Sequence, residues 1–329
     1  MTDEADFAQL TDPMRAELLA HCYRMLGSVH DAEDQVQETM VRAWRSYGDF
    51  EGRASLRTWL YKIATNTCLR ALENRSRRPL PSGLGAPGSP DEPLASGHEV
   101  PWLEPIPDAL VSADPADPAS VVASRESLRL ALIAALQYLP ARQRAVLILR
   151  DVLQWHASEV ADLLGTTTTA VNGLLLRARS RIEQAGLAQD EIREPAEAAQ
   201  RALLDRYAAA FENADASALS TLLQQDAEFE MPPMLTWFAG RDPIVLFLGT
   251  RVFGRPGDFR TVPIAANGQR GLAFYLLGRD GHHHAHAVQL LTFADAGITH
   301  VVSFNQPALF PAFGLPPVLP AASGAGPRL

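Results

Sequence analysis

Between Leu139 and Ile182 two amphipathic segments flank a glycine, and this pairing restricts the chain more than any other feature. In Trp155-His-Ala-Ser-Glu-Val-Ala-Asp-Leu-Leu-Gly165, the apolar Val160, Ala161, Leu163 and Leu164 form a one-sided stripe at helical spacing. Gly165 supplies the left-handed residue with which helices commonly end. The run Thr166–Thr169 then offers hydroxyl caps for a second helix. That helix turns Val171, Leu174, Leu175, Ala178 and Ile182 inward and leaves Asn172, Arg177, Arg179 and Arg181 polar. Such a pair reads as a helix-turn-helix, whose second helix fits the DNA major groove. Thr167, Thr168, Thr169 and Asn172 are then candidate contacts to base edges, with Arg177 and Arg179 near phosphate. A short helical hairpin inside an ordinary core gives the same pattern, so the rest of the chain has to decide.

A second basic stretch lies upstream. From Arg53 to Arg78 there are seven basic residues against one acidic, Glu73, although the whole chain carries a net charge of −9. Local charge, not the total, governs approach to a polyanion. Within this stretch Leu56, Trp59, Leu60, Ile63, Ala64 and Leu72 recur at helical intervals, interleaved with Arg57, Lys62, Asn66 and Arg70. Trp59 and Tyr61 suit stacking on unpaired bases while cations hold the backbone, and Trp59 suits a plain core equally well.

At 329 residues and 47% hydrophobic content, two or three globular domains are expected. No apolar run reaches the length of a membrane span, and the acidic N-terminus is unlike a secretory signal, so a cytoplasmic protein is expected. Cys22 and Cys68 lie in apolar helical patterns without a partner at metal spacing, which predicts buried thiols.

Residues 1–78 read as an all-helical domain. One of its helices, Asp31–Arg45, buries Ala32, Val36, Met40 and Ala43 and presents Asp34, Gln37 and Glu38 on the other face, either to solvent or to a protein partner. Residues 79–123 read as a linker, since ten of the 24 prolines fall between Pro79 and Ala119. Its apolar Val100–Leu110 stretch, with Trp102, is expected to dock. Helices resume at Ser124 and lead into the helix-turn-helix, giving a domain over 124–186. Over 196–316, two helices precede strand-like runs, which predicts an α+β domain with a run of antiparallel strands curved around a pocket. Phe229, Trp237, Phe274 and Phe304 are the candidate pocket lining, and 317–329 reads as a flexible tail. The histidines of His282-His-His-Ala-His286 alternate faces in a strand and cannot all converge on a metal.

These residues resemble the sigma-70 family of bacterial RNA polymerase initiation factors, in particular its compact extracytoplasmic-function (ECF) group with regions two and four alone. Asp31-Ala-Glu-Asp-Gln-Val-Gln-Glu-Thr is similar to the core-binding helix of region two, and Phe50-Glu-Gly-Arg-Ala-Ser-Leu-Arg-Thr-Trp-Leu-Tyr-Lys-Ile-Ala-Thr-Asn66 to its promoter-melting part. Leu139-Pro-Ala-Arg-Gln-Arg-Ala-Val-Leu147 through Arg177-Ala-Arg179 is similar to region four. The last third resembles the SnoaL-like, NTF2-like extension of some members, through Met231-Pro-Pro, Trp237-Phe-Ala-Gly-Arg241, Ala265-Ala-Asn-Gly-Gln269 and Pro307–Pro316, with Trp102-Leu-Glu-Pro105 as its linker motif.

The resemblance implies all-α region-two and region-four domains followed by an α+β NTF2-like cone. It implies a protein that binds core polymerase, at the β′ clamp, through Asp34, Gln37 and Glu38, and promoter DNA through two modules. Region four supplies Thr167, Thr168, Thr169, Asn172, Arg177 and Arg179 to the minus-thirty-five element. Region two supplies Arg57, Trp59, Lys62, Asn66, Arg75, Arg77 and Arg78 to the minus-ten element, where an extruded base is received. The extension is expected to regulate in cis, with Trp102, Asn267 and Gly268 as its contact. No catalysis, cofactor or metal is implied. Two alternatives stay open: a sensor whose pocket binds a small molecule, and a cyclase or isomerase using Asp226, Tyr275 or His286. Three positions depart from the family pattern. Arg70 replaces a common aspartate, Arg270 a common proline, and His156 a serine that would form a capping box with Glu159, a loss expected to cost about 0.5–2 kcal/mol.

Overall fold

The computed structural model describes residues 4–52, 54–73, 76–111, 126–184, 195–295 and 297–319. The chain forms two compact units, one of residues 1–79 and 103–190, the other of 80–102 and 191–329. The proline-rich stretch read as a linker is divided between them at Trp102 and Leu103.

The first unit is helical. Its N-terminal part holds α1 (Glu4–Thr11), α2 (Arg15–Leu26), α3 (Val29–Ser46) and α4 (Leu56–Leu72). Ser28 caps α3 by accepting the Asp31 N–H at 3.1 Å, and Ser55 caps α4 by accepting that of Thr58 at 3.1 Å. The helix α3 buries Val29, Ala32, Val36, Thr39 and Ala43, one stripe at three- and four-residue spacing. Gly27 ends α2 at φ +69°, where a Cβ would lie 2.8 Å from Leu103 Cδ1 and 2.9 Å from Gln137 Nε2. Only glycine fits that crossing.

Residues 103–111, including α5 (Asp108–Val111), pack in this unit: Leu103 N–H donates to Pro79 O at 3.2 Å, Glu104 N–H to Gly27 O at 3.0 Å, and Tyr23 Oη to Glu104 O at 2.8 Å. The helices α6 (Leu130–Gln137), α7 (Ala141–Leu147), α8 (Ala157–Leu164) and α9 (Thr168–Gln184) complete the unit. The helical start expected at Ser124 lies outside the described residues. Arg144 ties these helices to α2: it is 3% exposed and donates to Gln137 Oε1 at 2.9 Å, to Gln137 O and Leu139 O at 3.2 Å each, and to Met25 O. Burial lowers its pKa to about 10, which leaves it charged at neutral pH.

The second unit opens with α10 (Glu197–Glu212) and α11 (Ala216–Leu222). Then follow β1 (Leu223–Glu230), β2 (Trp237–Ala239), α12 (Arg241–Phe247), β3 (Phe259–Ala266), β4 (Gln269–Leu277), β5 (His283–Ala294) and β6 (Gly297–Phe304). The strand order is β2-β1-β6-β5-β4-β3. The sheet is mixed, because β1 and β6 pair in parallel, where a wholly antiparallel run was expected. The hairpin between β3 and β4 turns on Asn267 and Gly268, with φ of +56° and +66°. A seventh strand, Val318–Leu319, pairs with His283 and His284, within the segment expected to be a flexible tail; residues 320–329 lie outside the described residues. One face of the sheet packs with α10, α11 and α12 in an aromatic core that includes Phe211, Phe229, Phe238, Phe247 and Phe274.

Candidate functional site

The helix pair forms as read. Gly165 closes α8 at φ +61° and Thr166 N–H donates to Ala161 O at 2.9 Å. His156 stands at the N-cap, and Glu159 still accepts its backbone N–H at 2.7 Å, so half of the reciprocal box survives the missing serine. Thr167, one of the hydroxyls offered as a cap and as a base contact, accepts the Ala170 N–H at 3.2 Å and caps α9. Thr168, Thr169 and Asn172 are exposed at the start of α9, and Leu176, 72% exposed, continues their face. In the sequence an apolar residue beside Leu174 and Leu175 looks like core, and only the place of Leu176 one turn after Asn172 signals the exposed face. Arg177 is exposed with no hydrogen bond among the described residues. Arg179 is held by Asp151 through two bonds, Nε to Oδ2 at 2.9 Å and Nη2 to Oδ1 at 2.7 Å.

In the N-terminal helices, Trp59, Lys62 and Asn66 follow one another along one side of α4 at three- and four-residue spacing. Trp59 is half-buried, its ring 4.9 Å from Phe50 and 6.3 Å from Tyr47. Beside it opens a groove of about 660 Å³, walled by Asp49, Phe50, Glu51, Trp59 and Lys62 and, from α8, by Glu159 and Asp162. Arg57 forks onto Glu17 at 2.8 and 3.1 Å and lies 4.9 Å over the Tyr61 ring. Arg77 lies 4.5 Å over the Tyr138 ring. Arg78, expected near DNA, pairs with Asp31 at 2.5 Å with both side chains 16% exposed. Arg75 lies outside the described residues. On α3, Asp34 and Gln37 are exposed, and Glu38 pairs with Arg42 one turn on.

Comparison with known proteins settles what these modules are. Residues 11–78 match the model of sigma-70 region 2, and residues 129–182 that of sigma-70 region 4. The ECF RNA polymerase sigma factor SigG of Mycobacterium tuberculosis is 52% identical over 314 residues, covering 94% of this chain and 84% of SigG. The chain belongs to the extracytoplasmic-function sigma factors of the sigma-70 family. SigJ of the same organism is 28% identical over 312 residues, 91% of each chain, and SigW of Bacillus subtilis 28% over 183 residues. The crystal structure of SigJ shares the fold over 94% of this chain and all of SigJ, with a TM-score of 0.61 at 24% identity.

In this sigma factor the second unit holds a cavity of about 180 Å³. Phe229 and Phe274 line it, as expected, but Trp237 and Phe304 do not. Strand parity is the reason. Trp237 pairs with Glu230 and not Phe229, and Phe304 stands one residue from the cavity-lining Ser303, so both face the other side of the sheet. There Trp237 Nε1 donates to Gly85 O at 2.9 Å. Met231, Phe247, His286, Gln289 and Asn305 complete much of the lining. A polar line runs along one wall: Tyr207 Oη donates to Gln289 Oε1 at 2.9 Å, Gln289 Nε2 to Ser303 Oγ at 3.1 Å, and Ser303 Oγ to Asn305 Oδ1 at 2.8 Å. Burial lowers the pKa of His286, which favours the neutral ring.

Of the three residues offered for catalysis, His286 alone lines this cavity. Asp226 is exposed on β1, and Tyr275 Oη donates to Pro316 O at 2.9 Å. The neighbouring histidines diverge, His283 to Gly257 O at 3.0 Å and His284 to Asp280 at 2.9 Å.

Residues 80–102 run as a strap over the second unit. Gly88 N–H donates to Trp237 O, Ala95 N–H to Thr236 Oγ1 and Leu235 N–H to Ala95 O, each at 2.8 Å. Ser82 N–H donates at 2.7 Å to Glu230, whose other oxygen meets His300 Nε2 at 2.9 Å. Burial by itself would lower the His300 pKa, but the bond and charge of Glu230, with the charge of Glu228, together outweigh it and raise the value. Burial likewise opposes the Glu230 charge, and His300 with Ser82 outweighs it, holding Glu230 below the usual carboxylate range. Trp102 is buried, with Nε1 donating to Gly97 O at 2.8 Å, and Asn267 is fully buried at the turn of its hairpin, with Gly268 half-buried beside it. No described helix is long and apolar enough to cross a membrane.

Proposed function

We propose that this sigma factor meets the β′ clamp of core polymerase through Asp34, Gln37 and Glu38 of α3 and reads the minus-thirty-five element with Thr168, Thr169, Asn172 and Leu176 of α9. The observation that carries the reading is the exposed start of α9, where an amide and two hydroxyls stand on one face without hydrogen bonds among the described residues. Trp59, Lys62 and Asn66 receive the melted minus-ten strand in the groove beside α4.

The C-terminal SnoaL-like domain acts in cis by holding residues 80–102, part of the connection between regions two and four. The protein catalyses no reaction of its own, a reading supported by its likeness to sigma factors along the chain. Run-off transcription with core polymerase tests the proposal, comparing the full chain with one ended after Glu194. Initiation by both, at different levels, supports it. Equal activity removes the role in cis, and no initiation by either form overturns the whole.

A further inference from the structure

We propose that the cavity of the second unit binds a neutral aromatic molecule of one ring bearing a hydroxyl group, and that the bound molecule fastens the strap through Leu94. The inference rests on the reading that the C-terminal domain acts through the strap.

Size sets the first limit. An apolar cavity of about 150 Å³ takes benzene, so the 180 Å³ here suits one substituted ring. The lining sets the second: Phe211, Phe229, Phe247 and Phe274 offer ring edges and faces, and Met231 and Met234 adapt to an irregular outline. Polarity sets the third. Along the polar line the donors are used in one direction, which leaves the Asn305 amide N–H groups at its end without a partner among the described residues. His286, at the same cavity, has no hydrogen bond among the described residues either. A hydroxyl can donate to a neutral imidazole nitrogen or accept from an amide N–H, so it finds a partner at either residue.

The strap supplies the fourth element. Leu94 lines the cavity, and two residues earlier Glu92 O accepts from Arg251 Nη1 at 2.5 Å, with Arg251 also on the lining. A ring filling the space gains contact with Leu94 and none with a strap that has lifted away. Binding and strap docking therefore favour each other by the same factor.

Titration calorimetry of the full chain with 4-methylphenol, toluene and benzoate tests this, paired with amide hydrogen exchange over residues 89–97. Saturable one-to-one binding of 4-methylphenol is expected, with toluene weaker by about 2- to 12-fold for the lost hydrogen bond and benzoate weaker again. Exchange at 89–97 should slow with the phenol bound, and Leu94→Ala should weaken binding. Ala287→Leu, which fills the cavity, should abolish binding while circular dichroism shows the fold kept. Absence of binding, tighter binding of benzoate, or unchanged exchange in the strap would each overturn the proposal. If the chain ended after Glu194 still differs from the full chain in transcription while 4-methylphenol does not bind, regulation in cis stands and this inference fails alone.

Discussion

Replacing Asn172 by alanine isolates base reading from everything else the helix does. The side chain is exposed on α9, one turn before Leu176, and makes no hydrogen bond among the described residues, so its loss leaves the fold within about 0.5 kcal/mol of the parent. An amide that bonds a base edge with two hydrogen bonds contributes about 1–3 kcal/mol of discrimination, a factor of about 5 to 150 in affinity. Arg179 provides the contrast, since its guanidinium must leave Asp151 before it can serve phosphate, and an exposed pair of this kind is worth about 0.2–1 kcal/mol. The assay is holoenzyme binding to the cognate promoter and to a set with single base changes in the minus-thirty-five element. Asn172→Ala should lose affinity for the cognate site and lose nothing further on one particular changed base. Equal losses on every member of the set would refute base reading by Asn172.

Arg177→Ala should weaken binding on all promoters alike and reduce the salt dependence by about one unit of slope for the lost phosphate contact; an unchanged slope removes that contact. Arg144→Met leaves Met25 O, Gln137 O and Leu139 O without their donor, and urea unfolding should show a loss on the order of 3–5 kcal/mol. The Glu230–His300 pair gives the strap a pH window. The depressed Glu230 contributes above its ordinary 4.5 and is lost as pH falls through its lower folded value; the raised His300 contributes below its ordinary 6.5 and is lost as pH rises through its higher folded value. Protection of the Ser82 amide from exchange should therefore decline above neutral pH, and His300→Gln should remove that decline; a parent profile flat in pH contradicts a strap held through Glu230 and His300.

The helical half was legible because its signals are local. Stripe spacing, Gly27, Gly165, Ser28 and Ser55 each act within a turn or two of their own position. Burial of Arg144 was not, since its partners include Met25, far away in sequence, and an arginine in Ala-Arg-Gln-Arg-Ala reads as surface charge. In the sheet, strands β4, β5 and β6 follow from alternation, while Pro263 breaks the pattern of β3 and Asp242-Pro243 at the start of α12 reads as a turn. Aromatic character marks burial but not the face, and only register separates Phe229 and Phe274 from Trp237 and Phe304. The strap shows the converse limit. Proline content marks a segment that forms few regular elements, yet backbone N–H groups of Ser82, Gly88 and Ala95 still find partners on a neighbouring surface.

Co-elution of the folded full-length chain with bacterial core polymerase, followed by run-off transcription from a promoter it selects, addresses the central claim most directly. The account expects a one-to-one complex that starts at a defined site, weakened when Asp34, Gln37 and Glu38 are replaced together by alanine. A properly folded chain that passes core polymerase without associating would contradict it.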